Sequence, residues 1–456
     1  MLQLNPKKGV KIGFTLLTFL TMVGFSGAAE AVPSYARQTG LACEACHTVF
    51  PQLTPFGRVF KASGYTISNT SRVQDIDRIQ HYVMSLSNTP PLSAMVIAST
   101  SSAAKAGDPN SSTQSTDLPQ EMSLFYAGEI SDNVGAFIQI TYDGEEGAIG
   151  IDNTDVRFAD VTTWDGHSVI YGLSLNNNPT IQDLWNSTPG WGRPFTGSPA
   201  LIGPDAAARM EDAMAQAVAG LSAYAFVDQS IYGEAGVYRS AIQGASVTSD
   251  GDQTNDVISG VAPYWRFAYE KDWGQNSWEL GTFGMEASLR NPTGPGGSAV
   301  NISLQTGPSD QFTDVGLDSQ YQYISDDSQI TVTGRWLHED QKLDATYTNG
   351  FSDHPSDYVN TYNLVGSYFW QRRIGATIGF YGVTGSNDPT YFGSVMGRPN
   401  SSWGNFEVDY LPWLNVKLGL QYTAYTKFNG ATSNYDGAGR NASDNNLLYA
   451  YVWIAY

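Results

Sequence analysis

The chain has 456 residues, of which 15% are charged and 12% aromatic, with 26 Tyr, 11 Trp and 47 Gly. A mean hydropathy of −0.26 excludes a bundle of transmembrane helices. A net charge of −20 excludes a nucleic-acid partner, because phosphate binding needs clustered Lys and Arg. A polar average combined with many glycines and aromatics suits a β-barrel, and soluble secreted β proteins share the same profile.

In chain order, Lys7, Lys8 and Lys11 form a positively charged start, followed by the short apolar run from Ile12 to Phe25 and the small-residue sequence Ala29-Glu30-Ala31. This is the pattern of a secretory signal peptide over residues 1–31, cleaved before Val32. Residues 32–88 then form a small domain around Cys43-Glu44-Ala45-Cys46-His47, which holds both cysteines of the protein. C-x-x-C-H is the attachment signature of a c-type haem. Cys43 and Cys46 would bind the haem covalently as thioethers, and His47 would be the proximal iron ligand. A redox dithiol would call for a βαβ context, and a zinc half-site would call for two more ligands nearby. Neither is visible here. The sixth-ligand candidates are His81, Met84 and Met95, of which a Met would raise the potential. Thr54-Pro55 reads as an N-cap with proline at the first helical position. Phe56, Val59 and Phe60 share one face of the helix that follows and are placed to pack on the haem. Gly64 ends that helix, and Tyr65 starts an extended segment.

Residues 89–456 switch to period two, with Gly, Asn and Asp between the runs. Strands are expected near 92–101, 119–130, 133–143, 153–163, 167–177, 217–228, 230–241, 257–270, 276–290, 311–324, 328–340, 358–370, 373–384, 402–411, 413–427 and 445–456. Their length suits a tilted crossing of a bilayer, and sixteen is an even number. Short turns alternate with long polar loops at 102–118, 144–152, 178–216, 242–256, 291–310, 341–357, 385–401 and 428–444. One helix-period stretch, at 206–220, lies in the third loop. Trp164, Trp273, Trp370 and Trp413 near strand ends suit an interfacial girdle, or plain packing. The chain ends on an aromatic strand closing with Tyr456. The expected architecture is therefore mainly β: a transmembrane antiparallel barrel of about 16 strands in the bacterial outer membrane, both termini periplasmic. A small N-terminal haem domain would plug the pore, which at this strand number is wide enough to admit it.

The run from Val32 to Gly40, the sequence CEACHTVFPQLTPFGRVFKASGY and the porin-like C-terminus resemble the fused outer-membrane monohaem cytochrome–porins of iron-oxidising bacteria. The resemblance is dense over residues 32–65 and architectural over the barrel. It implies an oxidoreductase that takes electrons from extracellular Fe(II) onto one haem c and passes them to a periplasmic cytochrome c or copper protein. It supplies no iron ligands. Hard oxygen donors are available in the loops: Asp143, Glu145, Glu146 and Asp152; Asp183, Asp205, Glu211 and Asp212; Asp250, Asp252 and Asp256; and Asp353, His354 and Asp357. Solvated loop carboxylates are the plainer reading of each group. Two other functions fit the same architecture: a solute channel with a haem-bearing structural plug, and an outward conduit to an extracellular acceptor.

Overall fold

The structure, a computed structural model, describes residues 33–68, 72–74, 85–87, 90–107, 112–211, 214–241, 257–290, 309–413 and 415–456. The expected signal segment, His81, Met84, Asp212, the 250–256 acidic group and the 88/89 domain boundary lie outside the described residues. Sixteen strands form one antiparallel barrel: β1 (Leu92–Ala103), β2 (Gln114–Ser131), β3 (Val134–Asp143), β4 (Ala148–Trp164), β5 (His167–Asn176), β6 (Val218–Val227), β7 (Ile231–Ser240), β8 (Ala262–Trp273), β9 (Asn276–Arg290), β10 (Asp310–Ile324), β11 (Ser328–Lys342), β12 (Ser356–Trp370), β13 (Ile374–Gly385), β14 (Ser401–Trp413), β15 (Val416–Lys427) and β16 (Leu447–Ala455). Each pairs with its neighbours in sequence, and β16 pairs with β1, from Leu447 opposite Ala103 to Ala455 opposite Met95. Tyr456 completes the seam by exchanging backbone hydrogen bonds with Ala94. The dipeptide Val257–Ile258 extends the wall ahead of β8 by pairing with β9.

The surface is inverted relative to a soluble protein. Along β8, Trp265, Phe267 and Tyr269 point outward and are exposed, while Tyr264, Arg266, Ala268 and Glu270 point inward and are buried. Leu173, Leu221, Leu317, Leu364, Phe380, Phe406 and Leu420 continue the outer apolar face around the barrel. An apolar band this extensive is stable only against lipid, and a closed barrel leaves no strand edge unpaired in it. Trp164, Trp273, Trp370 and Trp413 are all exposed, Trp164 by 76%, and all sit beside short turns. They form a belt at one interface of the membrane, the position amphipathic indoles prefer. The start of β1 and the end of β16 lie at that same end, which places it on the periplasmic side of the outer membrane.

Two outer loops are shorter than the sequence suggested. β2 and β4 extend past the bilayer, so 144–147 is a tight turn, and the first loop shrinks to 104–113. The third loop departs further. Instead of standing in solvent it folds into the lumen, burying Asp183, Leu184, Trp185 and Asn186. Internal cations and acceptors draw it in: Asp183 pairs with Arg266 at 3.0 Å, and Trp185 donates from Nε1 to Glu270 at 2.7 Å. The described part of 206–220 is turn and then strand, not helix; Met210 and Met214 pack on the inner wall instead.

The N-terminal segment lies inside the barrel, in its periplasmic half. It comprises α1 (Pro33–Thr39), α2 (Cys43–Cys46) and α3 (Pro55–Ala62). Its contacts run round the wall: Tyr35 Oη to the Ala136 carbonyl on β3, Tyr65 Oη to Asp155 on β4, Tyr224 of β6 to the Ala62 carbonyl, and Phe50 against Trp453 of β16. Arg58 is the main anchor. Its guanidinium donates to Glu270 of β8 at 2.6 and 3.1 Å, to Ser277 of β9 at 2.6 Å and to Gln322 of β10 at 2.8 Å. Removing one member of a buried ion pair costs about 3–5 kcal/mol, because the other is left uncompensated. Arg58→Met is therefore expected to expose residues 33–68 to protease and to raise single-channel conductance in planar bilayers, with barrel assembly unchanged. Adding Glu270→Gln should recover part of the loss. Wild-type protease resistance in Arg58→Met would refute the anchor.

Candidate functional site

Local sequence fixes the shape of the C-x-x-C-H turn. In α2 the two cysteines are three apart and lie on one side, and the helix stops at His47, whose extended backbone still donates to the Cys43 carbonyl at 2.9 Å. Thr54 then does two jobs. Its hydroxyl accepts from Gly57 N to cap α3, and it donates to the Ala45 carbonyl at 2.6 Å, tying the cap to the cysteine turn. Pro55 follows at the start of α3, as the sequence suggested. Gly57 is required here, since a Cβ would overlap the Cys46 carbonyl oxygen.

Cys43, Cys46 and His47 all line one cavity of about 800 Å³, counting its open mouth, bounded by α1, α3, the barrel wall at Phe137 and the inward loop at Ile181 and Trp191. Six of its lining residues are Tyr, Phe or Trp. Tyr35 packs edge-on to Phe60 with centroids 5.0 Å apart and stacks on Tyr65 at 5.4 Å, and Phe50 lies 5.3 Å from the His47 ring. No disulfide joins Cys43 and Cys46. Burial pushes the Cys46 thiol up to about 11 and the His47 imidazole down to about 4, so the ring is neutral at physiological pH. Neutral imidazole is the form that ligates a metal. His47 Nδ1 is buried without a hydrogen-bond partner. Two thiols, a neutral imidazole and a lining rich in apolar side chains fit a covalently held haem c.

The other lone-pair donors on the cavity wall are already engaged. Lys61 donates to the Ile181 and Asp183 carbonyls at 2.8 and 2.6 Å, Tyr65 donates to Asp155, and Asp155 pairs with Arg157 at 2.7 Å. Met95 does not line the cavity; it packs on Ile97, Phe125 and Trp453 in a cluster on the barrel wall. Phe56 points to solvent, and Val59 packs on the wall beside Trp185. The face of α3 toward the cavity is Gly57, Phe60 and Lys61. Tyr65 does not begin an extended segment: it sits at φ 60°, a strained value for a bulky residue, held by its bond to Asp155 and by Gln38 donating to its carbonyl at 2.7 Å.

The acidic groups also separate. Asp183 is buried in the lumen against Arg266, Glu211 pairs with Arg335, and Asp205 bonds Asn429. Asp143 accepts from the backbone of Glu145 and Glu146, and Asp152 accepts from Thr141 and Gln216. His354 and Asp357 do meet, with Asp388 as third member; Asp353 turns aside to accept from Thr390. Asp388 sits some thirty residues further on, and only the barrel closes that gap.

No protein-family model matches the chain, and no curated protein matches it. Solved structures similar to it include the outer-membrane channel DcaP of Acinetobacter baumannii, at 11% identity over 80% of this chain and 96% of that one, TM-score 0.45. Others are a loop-deletion mutant of the Vibrio cholerae outer-membrane protein OmpT (9%, 80% and 98%, TM-score 0.45) and an anion-selective porin from Comamonas acidovorans (12%, 80% and 98%, TM-score 0.42). Strand register, lipid-facing surface and closure themselves define an outer-membrane barrel of porin-like architecture, with a helical plug in its lumen.

Because α3 rests on the cysteine turn through Gly57, Gly57→Ala is expected to push them apart, at the roughly 1–3 kcal/mol typical of overpacking. The readout is faster proteolysis within residues 33–68, with the β-sheet circular dichroism unchanged. Equal protection of the variant and wild type would show that the contact can relax freely.

Proposed function

We propose that the protein is an electron conduit of the outer membrane, an oxidoreductase that oxidises extracellular Fe(II) at a single c-type haem and delivers electrons to a periplasmic cytochrome c or copper protein. The observation that carries this reading is the convergence of Cys43, Cys46 and His47 on one cavity between the N-terminal plug, the barrel wall and the inward loop. Cys43 and Cys46 would hold the haem covalently. His47, kept neutral by burial, would ligate its iron. Tyr35, Phe50, Phe60 and Phe137 present apolar surface to the site, and a less polar surrounding favours the less charged member of a redox pair. Bound there, haem c supplies a one-electron carrier in a membrane that otherwise insulates electrons. Each Fe(II) that reached the haem would give up one electron and leave as Fe(III), and that electron would go on to the periplasmic carrier. The turn holding the cysteines faces that carrier's compartment: Glu44 is ion-paired at 2.7 Å to Arg372 in the short turn after β12. A solute channel whose lumen carries a structural plug is the second reading, and the porin-like barrel is consistent with it.

Anaerobic Fe(II) is expected to reduce the haem of the purified protein in detergent, as seen in its visible spectrum. Haem that dithionite reduces and excess Fe(II) leaves oxidised would sink the iron reading. Cys43→Ser with Cys46→Ser should abolish covalent haem staining and leave a folded barrel. His47→Ala should keep the stain, change the spectrum and abolish reduction by Fe(II). Large solute flux through wild-type protein in liposomes would favour the channel instead.

A further inference from the structure

At the extracellular end of the barrel, well away from the cysteine turn, the first residues of β12 meet the loop after β13. The donor atoms of His354, Asp357 and Asp388 all lie within 4.8 Å of one another. Among the described residues this is the one cluster of three or more His, Cys, Asp and Glu side chains with such spacing. Asp388 is fully buried and held rigid: Oδ2 accepts from the backbone of Asp353 at 2.7 Å and of His354 at 3.1 Å, and Oδ1 accepts from Tyr391 N at 2.8 Å. Asp357 is only 7% exposed, yet its Oδ2 accepts no hydrogen bond. A buried carboxylate oxygen with no donor, set against a second buried carboxylate, is an unstable arrangement unless a cation or proton joins them. His354 is half exposed, with Nδ1 3.6 Å from Asp388 Oδ2, so the third donor is open to solvent.

We propose that His354, Asp357 and Asp388 form a binding site for a divalent first-row transition metal at the extracellular rim of the barrel. An imidazole beside two carboxylates selects such a metal over Ca²⁺ or Mg²⁺, which take oxygen donors alone. The position also defines what the site can do. From Asp357 to Trp370, at about 3.3 Å per residue and about 40° tilt, β12 rises on the order of 30 Å along the barrel axis. The Trp belt at the far end is level with the turn that carries Glu44's partner Arg372. The rim site therefore captures metal and does not pass electrons directly to the cysteine turn. Its role as the first stop for Fe(II) rests on the conduit reading; the metal site itself does not.

The test uses the full-length protein in detergent, with Mn²⁺ followed by electron paramagnetic resonance and Ca²⁺ as competitor. The wild type should hold one Mn²⁺ that a tenfold excess of Ca²⁺ does not displace. Asp357→Asn and His354→Ala should each weaken binding at least tenfold. Equal Mn²⁺ binding by wild type and both variants, or ready displacement by Ca²⁺, overturns the site and leaves a proton shared between Asp357 and Asp388. In Fe(II)-driven haem reduction, the same variants should be slower at low Fe(II) and equal to wild type at saturation. Variants that lose Mn²⁺ but reduce normally at every Fe(II) concentration overturn the capture role alone. A wild type that binds Mn²⁺ but is not reduced by Fe(II) upholds the site and refutes the conduit.

Discussion

In hydrocarbon every backbone N–H and C=O must find its partner within the protein, and the rest of this structure follows from that constraint. It forces the sheet to close, which β16 does on β1 with Tyr456 completing the ladder. Closure inverts the usual order of side chains. Leu, Phe and Trp face lipid, and charged and polar residues face a lumen that water alone would otherwise fill. A plug that enters such a lumen cannot dock as one apolar face on another. It must bring charges that answer those of the wall.

The plug and the third loop do this jointly. Glu270 accepts from Arg58 of the plug and from Trp185 of the loop, so one wall carboxylate binds both. Lys61 of the plug holds the loop directly through the carbonyls of Ile181 and Asp183, and Asn186 returns a bond to the Pro51 carbonyl. Arg266 on β8 gathers Asp183 of the loop with Asp318 and Glu279 of the wall. Buried charges of this kind are weak evidence for stability and better evidence for a specified geometry, since each is costly unless all its partners are in place. The aromatic cavity thus lies between two segments distant in sequence that are locked to a common set of wall residues.

Period-two alternation and turn residues made all sixteen strands legible, because the bilayer imposes both their length and their polarity. Local signals around the cysteines were equally readable: Thr54 caps α3 and Pro55 opens it, chemistry that depends on a few neighbouring residues. What the sequence hid is long-range. Asp183 reads as a loop carboxylate, and nothing near it announces Arg266. Tyr65 reads as the start of a strand, but it takes a left-handed backbone held by Asp155 on the adjoining wall and by Gln38 of α1. Asp388 belongs with His354 only because β12 and β13 are adjacent in the barrel. Met95 was proposed for its nearness in sequence to the haem motif, but it starts the barrel wall and is packed there.

On the proposed function, the same architecture would separate two tasks along the barrel axis. Hard donors able to hold a cation stand at the extracellular rim, where solvent reaches His354. Donors suited to a buried redox centre stand at the other end, under an aromatic enclosure that suppresses His47 protonation. A cation profits from exposed, exchangeable ligands, because it must arrive and leave. A redox centre profits from burial, because water both alters its potential and admits side reactions. Placing both at one site would compromise each. The inward third loop lies between them, with Trp185 and Trp191 set against the plug. Its packing on Lys61 and Arg266 fixes that loop against both the plug and the wall.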